Sequence, residues 1–373
     1  MKYLLIKKLL IMKKMFFLIS FFSFLLSCKN DVEITPLNLI DLPEKHDVFR
    51  IDEEGTFLNA FVLDSFLIIN THKNDDKIHI YNKKNLQLIA KFGTEGLAPF
   101  ELPDIVPLTN ASITQKSNSI LFNDRKVRQF KTINLNKFLS EGNVANCITS
   151  SQLDRNEMIL LSGTLTILDD HKFVKLNRSE NQGKGMFMIY DTLKKEAKYI
   201  EYVPKIKGVE DRYKYLLYYG SLNANSSKNS IVFGSIYFDY ILFYDIKGIL
   251  QKSYYFSKLK MPDLSSQFSG PVNESTRYTL NTYASSEYCF FYRACQSTIE
   301  DGYYNLQKPT QLLVFSWDGL LVNAFNLPIR SGKFRYCYDD EFGSLYLFEQ
   351  SEEEKDPHII VHKYKINDYL KIN

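Results

Sequence analysis

Histidine, cysteine, serine and lysine come first, because their spacing decides whether a metal site, a nucleophile or a phosphate cradle can be assembled. Of the six histidines, only His358 and His362 are suggestively spaced. On a helix that spacing would make a metal-binding pair. The Ile359-Ile360-Val361 between them argues for a strand, which still sets both on one face. No third ligand accompanies them, so the expectation is a solvated or core strand histidine and no metal. No G-x-S-x-G elbow surrounds Ser221 or Ser235, and no histidine is placed to suggest a triad. Cys147, Cys289, Cys295 and Cys337 form no C-x-x-C pair. Cys289 and Cys295 are too distant to bridge if YCFFYRAC is extended. Pairing of either with Cys337 and buried free thiols both stay open. Gln182-Gly183-Lys184-Gly185 precedes a strand rather than a helix and lacks the rest of a nucleotide fingerprint. No catalytic residue and no cofactor is expected on these grounds.

The one cysteine with a clear assignment is Cys28. Residues 1–28 read MKYLLIKKLLIMKKMFFLISFFSFLLSC, with lysines first and then an apolar run over 15–26. That length suits a signal-peptide core and is short for a membrane span, which needs roughly 20 apolar residues. Met12 is an alternative start, since MKKMFF opens a compact leader by itself. Leu25-Leu26-Ser27-Cys28 resembles the bacterial lipobox, which implies cleavage before Cys28 and its acylation. Two or more acyl chains are needed for stable anchoring. Lys29 gives no support to retention at the inner membrane. Outer-membrane anchoring is therefore expected, with the periplasmic and cell-surface faces both open.

The leader also accounts for the chain's charge. Of 46 basic and 43 acidic residues, five lysines and no acids precede Cys28, so the remainder carries 41 against 43 and a net charge of −2. No basic footprint of a nucleic-acid binder is left. Hydrophobic residues make up 45%, enough for a packed core, and 28 Phe with 25 Tyr favour strands.

Six strand groups recur after the leader: FLIIN, KIHIYN and LQLIAKFG; SILFN and VRQFKTI; EMILLSG, GMFMIYD and KYIEYV; SIVFGS, YILFYD and ILQKSYYF; YCFFYRA, QLLVFSW and LLVNAFNL; SLYLFEQ and HIIVHKYKI. Alternation in KIHIYN is a strand signal, and Asp318-Gly319 between apolar runs predicts a hairpin with positive φ at both central positions. An aromatic closes each third strand (Tyr81, Phe130, Tyr190, Tyr244, Phe315, Tyr364) at a spacing of roughly 50–70 residues, near the period of propeller blades. The exception to strand pattern is VEDRYKYLLYY, residues 209–219, which has a short helical period. The expected fold is all-β: a six-bladed β-propeller of four-stranded antiparallel blades over 45–373, after a signal peptide (1–27) and a lipidated tether (28–44). HDVFRI, residues 46–51, is the candidate to complete the last blade. Seven blades or two sandwiches in series remain alternatives.

With FGTEGLAPFEL (92–102) in the first strand exit, the chain resembles the six-bladed, TolB-like propeller lipoproteins of Bacteroidetes. That family's exit carries further glycines where this chain has Ala98 and Phe100. Propeller enzymes hold a metal on the central axis with carboxylates, and Asp64, Asp124, Asp239 and Asp339 lie near inner strands. Their spacings do not repeat, and acidic turn residues are the simpler reading. The loops over 163–184, 295–310 and 350–357 lengthen one face, which marks a binding face in repeat scaffolds. Asp301, Tyr303 and Tyr304 are the candidate partner-binding residues, because tyrosine offers flat apolar area with a polar tip. The expected function is a non-catalytic, outer-membrane-anchored propeller that binds a protein or glycan partner and no nucleic acid. A metal-dependent hydrolase or lyase with a central-channel site is the alternative.

Overall fold

The computed structural model describes residues 32–33, 37–52, 56–72, 76–94, 96, 101–102, 113–114, 118–124, 127–155, 157–161, 165–169, 171–177, 184–206, 209–259, 277–296, 299–300, 303–304, 310–328, 335–351 and 358–371. Cys28 and Asp301 lie outside them.

Three short strands come first: β1 (Val32–Glu33), β2 (Ile40–Asp41) and β3 (Asp47–Ile51). Blade one follows as β4 (Thr56–Leu63), β5 (Phe66–His72), β6 (Ile78–Asn82) and β7 (Leu88–Phe92). Blade two is β8 (Ile113–Thr114), β9 (Ser119–Asp124), β10 (Gln129–Asn134) and β11 (Ile148–Gln152), with helix α1 (Leu135–Glu141) before its last strand. Blade three is β12 (Leu165–Asp169), β13 (Lys172–Leu176), β14 (Phe187–Asp191) and β15 (Glu196–Ile200). Helix α2 (Lys214–Leu217) precedes blade four, which is β16 (Gly220–Asn225), β17 (Ser230–Ser235), β18 (Tyr240–Tyr244) and β19 (Leu250–Tyr255). Blade five has β20 (Arg277–Ala284) and β21 (Tyr288–Gln296), then a small hairpin of β22 (Ile299–Glu300) and β23 (Tyr303–Tyr304), then β24 (Thr310–Ser316) and β25 (Leu321–Leu327). Blade six is β26 (Arg335–Asp339), β27 (Ser344–Gln350) and β28 (Ile359–Lys365), completed by β3 in antiparallel register, with Val361 opposite Phe49.

This is the six-bladed propeller expected from the repeats, closed by the strand within 46–51. Each blade pairs neighbours in sequence antiparallel. First-to-second and third-to-fourth turns therefore lie on one side, here the turn face. Second-to-third and blade-to-blade connections emerge on the other, the loop face.

Both sides of a blade are core, which is why its strands read as near-continuous apolar runs. On β5, Leu67 and Ile69 join the cluster shared with blades five and six, while Ile68 joins the one shared with blade two. The alternation in KIHIYN thus separates two neighbours rather than core from solvent: Ile78, His79, Ile80 and Tyr81 are all buried. Each fully buried large apolar side chain contributes about 1.5–3 kcal/mol. A lone blade would leave one whole side wet, so the ring is the stable unit.

Several local expectations are corrected. Residues 157–161 of EMILLSG form a 3-10 turn, and the second strand of blade three is KFVKL instead. The loop expected over 163–184 therefore contains β12 and β13. Phe130 stands at the beginning of β10, not its end. Among the two central residues of the Asp318-Gly319 hairpin, Gly319 alone has positive φ, at 74°. The turn closes between Ser316 and Leu320, with a bulge at Phe315. A Cβ at Gly319 would also sit 3.1 Å from Phe243 Cγ. The same plan recurs at Leu86, Lys195 and Gly248, each left-handed after an Asn or Asp whose side chain accepts backbone N–H groups of the turn. The 209–219 exception is borne out by a 3-10 turn (Asp211–Tyr213) leading into α2.

Candidate functional site

The four candidate carboxylates part company in the structure. Asp64 is an exposed turn residue with φ 49°. The other three are buried and paired with a cation. Asp124 Oδ2 lies 2.9 Å from Lys131 Nζ, with both side chains almost inaccessible. Asp239 takes a two-pronged contact from Arg293, Nε to Oδ1 at 2.8 Å and Nη2 to Oδ2 at 2.6 Å, which ties blade four to blade five. Arg293 also donates to Gln311 Oε1 and lies over the Phe256 ring. Asp339 accepts from Lys83 at 3.0 Å, tying blade six to blade one. Buried ions need such pairing, because each costs several kcal/mol to desolvate. Asp239 and Asp339 thus secure seams between blades, while Asp124 pairs with a neighbouring strand inside blade two. Among the described residues, no three His, Cys, Asp or Glu side chains come together as a metal group.

His358 is buried at the start of β28, and His362 lies half-buried on it. His362 Nδ1 is 3.1 Å from His46 Nε2, a partner from outside the repeat alignment. His46 also stacks on Tyr364. Cys147, Cys289 and Cys337 are buried free thiols; burial pushes all three above the usual thiol range. Pairing of Cys337 with Cys289 is thereby ruled out in this structure. The side chain of Cys295 falls outside the described residues. Tyr303 and Tyr304 form β23 within the second-to-third connection of blade five, hence on the loop face, and their side chains also fall outside.

A cleft of about 400 Å³ opens on that same face, between blades three and four. Its walls come from the second-to-third connection of blade three (Lys184) and the crossing to blade four (Glu201, Tyr202, Lys205, Ile206, Lys214, Tyr218). Tyr218 is locked: its hydroxyl donates to the Pro204 carbonyl at 2.5 Å and accepts from the Ile206 N–H at 3.2 Å. The Tyr202 ring leans on Tyr218 at 5.0 Å between centroids, with Lys214 Nζ 5.8 Å above it. Unlike its neighbour, the Tyr202 hydroxyl is buried with no hydrogen-bond partner among the described residues. Burial, with smaller contributions from Tyr218 and Asp211, pushes its pKa to about 12, so it stays a protonated donor at neutral pH. The rim is charged in both senses. Lys184 faces the Tyr199 ring, Lys214 pairs with Asp211 at 2.6 Å, and Lys205 stands 3.9 Å from Glu201. Flat apolar surface, a spare donor and flexible charges at the mouth suit a polar ring or a peptide side chain.

Sequence reasoning missed this cleft, although its two halves had each stood out. Lys184 sits in the Gln182–Gly185 stretch, and α2 is the helical exception. Nothing in the linear pattern tied the two together. Blade packing does so.

The fold class is thus a six-bladed propeller with a cleft on its loop face. No protein-family model matches the chain, and no curated protein matches it. Among solved structures it is similar to a member of the DUF4221 family from Bacteroides vulgatus ATCC 8482, at 17% identity and a TM-score of 0.61, over 88% of this chain and 99% of that one. It is also similar to a protein of Bacteroides fragilis NCTC 9343 that is described as exported, at 11% identity and a TM-score of 0.53, over 90% and 98%. Both likenesses concern the fold.

Proposed function

We propose that this chain is an exported lipoprotein, anchored to the outer membrane through acylated Cys28, whose propeller binds a protein or glycan partner on its loop face without catalysis. The TolB-like kinship and the lipobox belong to this reading, and the Bacteroides fragilis neighbour described as exported agrees with it. The cleft carries the functional part: the Tyr202–Tyr218 floor with an unsatisfied hydroxyl lies on the face already marked by long connections. Asp124, Asp239 and Asp339 support the non-catalytic side, since each is already paired with a cation.

The test is a binding screen of the full acylated chain in detergent against envelope glycans and purified envelope proteins. A hit that Lys184→Ala or Tyr202→Ala weakens about tenfold, roughly 1.4 kcal/mol, places the partner in the cleft. Loss on Tyr303→Ala and Tyr304→Ala moves it to blade five. A thermal shift with Ca²⁺ or Zn²⁺, together with turnover of a lactone or uronic-acid polymer, would replace this proposal with the metal-dependent enzyme.

A further inference from the structure

Two histidines from opposite ends of the chain meet where the ring closes. In the register of β3 on β28, Asp47 stands opposite Lys363 and Val48 opposite His362. His46, the residue before β3, therefore lies diagonally across from His362. Their facing nitrogens, His46 Nε2 and His362 Nδ1, are 3.1 Å apart. Both rings are half-buried, and His46 is braced by stacking on Tyr364 at 4.3 Å between centroids.

A hydrogen bond accounts for that contact by itself, and the same geometry is close to what a late transition ion needs. Imidazole nitrogens bind such ions at about 2.0–2.1 Å, so two of them stand about 3.3 Å apart on a tetrahedral centre and about 2.9 Å apart on a square-planar one. The observed 3.1 Å lies between these values. Ring direction is the second criterion. Nitrogens meeting head-on at this separation would put the ring centroids about 5.4 Å apart, and rings converging on one ion would put them about 4.8 Å apart. The centroids are 5.2 Å apart, with the planes at 46°. The contact is thus bent, and small side-chain rotations bring both lone pairs onto one ion.

The groups behind the rings supply the second observation. His46 Nδ1 lies 2.9 Å from the Glu44 carbonyl, which holds the proton there and leaves Nε2 as the lone pair. A metal-bound imidazole ordinarily has this support on its far nitrogen. On His362 the proton passes from Nδ1 to Nε2 when an ion binds, and Glu349 stands on that side, 3.9 Å from Nε2. The change is between tautomers of a neutral ring, so no net proton is gained or lost. Two protein nitrogens leave the other positions to water, because no third His, Cys, Asp or Glu joins the pair among the described residues. A closed four-ligand zinc site is thereby excluded. Imidazole with water oxygens suits the tetragonal geometry of Cu²⁺ and Ni²⁺, and Cu²⁺ stands at the top of the divalent affinity order. An ion held here joins blade six to the start of its closing strand, where the chain arrives from β2 on the edge of blade five.

We propose that His46 and His362 form a two-histidine chelate for a divalent late transition ion, Cu²⁺ foremost, that clasps the closing strand to blade six. The test uses the full chain in detergent, stripped with a chelator and then titrated with Cu²⁺, with electron paramagnetic resonance reading the nitrogen donors. The expected result is one Cu²⁺ with two imidazole nitrogens, saturating at micromolar metal. His46→Gln and His362→Gln should each abolish it, and His171→Gln, at an exposed turn, should leave it. Ni²⁺, which does not oxidise thiols, replaces Cu²⁺ in urea unfolding. At about 100 times its dissociation constant it should raise the folding equilibrium constant up to about 100-fold, and in neither pair variant. Should a pair variant fail to fold, the unsubstituted chain still decides: bound Ni²⁺ should shield His46 and His362 from diethyl pyrocarbonate while His171 stays reactive. An adventitious ion only, seen as saturation at millimolar metal or as a signal that survives in both pair variants, overturns the proposal. Unshielded reaction of the pair overturns it as well.

Discussion

Lys83 Nζ lies 3.0 Å from Asp339 Oδ1, and both side chains are about as inaccessible as the surrounding core. One residue comes from the turn between β6 and β7 in the first blade, the other from the end of the first strand of the last blade. The Lys83 carbonyl also accepts from the Tyr346 hydroxyl at 2.9 Å. Side-chain and backbone bonds thus bridge the seam where the ring must close.

Lys83→Met is expected to leave Asp339 as an uncompensated buried charge and to cost about 3–5 kcal/mol. Lys83→Met combined with Asp339→Leu removes both charges and should recover a large part of that loss. Urea unfolding of the three proteins measures this. A double variant no better than the single one would mean that the pair does not act as a unit.

How much of this was readable beforehand follows from which forces are local. Blade strands are visible because Leu67, Ile68 and Ile69 must satisfy two neighbours at once, which forces a continuous apolar run. The closing strand within 46–51 was visible for the related reason that blade six lacks a fourth strand of its own. KFVKL was missed because Lys172 and Lys175 break the apolar run, although Lys175 is fully buried. EMILL was misassigned because a five-residue apolar run does not distinguish a strand from a 3-10 turn. The candidate site was legible only in fragments. Asp239 and Arg293 are 54 residues apart, and Lys184 meets Tyr202 only through the fold. Composition says that such charges exist, and ring geometry decides which of them meet.

The closing strand also carries a pH dependence. His46 Nδ1 is 2.9 Å from the Glu44 carbonyl, which can only accept, so neutral His46 is protonated there. His362 Nδ1–H must then donate to His46 Nε2. Burial first, and then His46, hold the His362 imidazole below its usual value; Glu349 stands 3.9 Å from its other nitrogen. The folded chain therefore refuses a proton that the unfolded chain accepts. Stability contributed by neutral His362 is whole above the unfolded pKa of about 6.5 and declines as pH falls toward the lowered folded value. His362→Gln should reduce the fall in urea midpoint between about pH 7.5 and 5.5. An unchanged slope would assign the dependence to other groups.

Thiol chemistry offers a separate check on the core. Cys289 and Cys337 are fully buried and their thiols are pushed well above the usual range, chiefly by desolvation. The thiolate is the reactive form, so neither should react with a water-soluble disulfide reagent in the native protein. Both should react once urea unfolds the chain, with peptide mapping to assign each site. Labelling of either in the native state would place it at an accessible edge rather than between blades.

Tyr202→Phe separates folding from recognition at the cleft. A buried donor without a partner costs about 1–3 kcal/mol, so removing the Tyr202 hydroxyl should leave the unliganded chain as stable as before, or up to about 1 kcal/mol more stable. Tyr218→Phe should do the opposite, since that hydroxyl serves both the Pro204 carbonyl and the Ile206 N–H. In binding, the order reverses for the residue that matters: a ligand seated on this floor should lose about tenfold in affinity with Tyr202→Phe, roughly the worth of one hydrogen bond. Urea midpoints and a titration with the hit from the binding screen measure the two effects on the same preparations. Destabilisation by Tyr202→Phe with unchanged affinity would show that the hydroxyl serves the fold, and the cleft would lose its chief claim to a ligand.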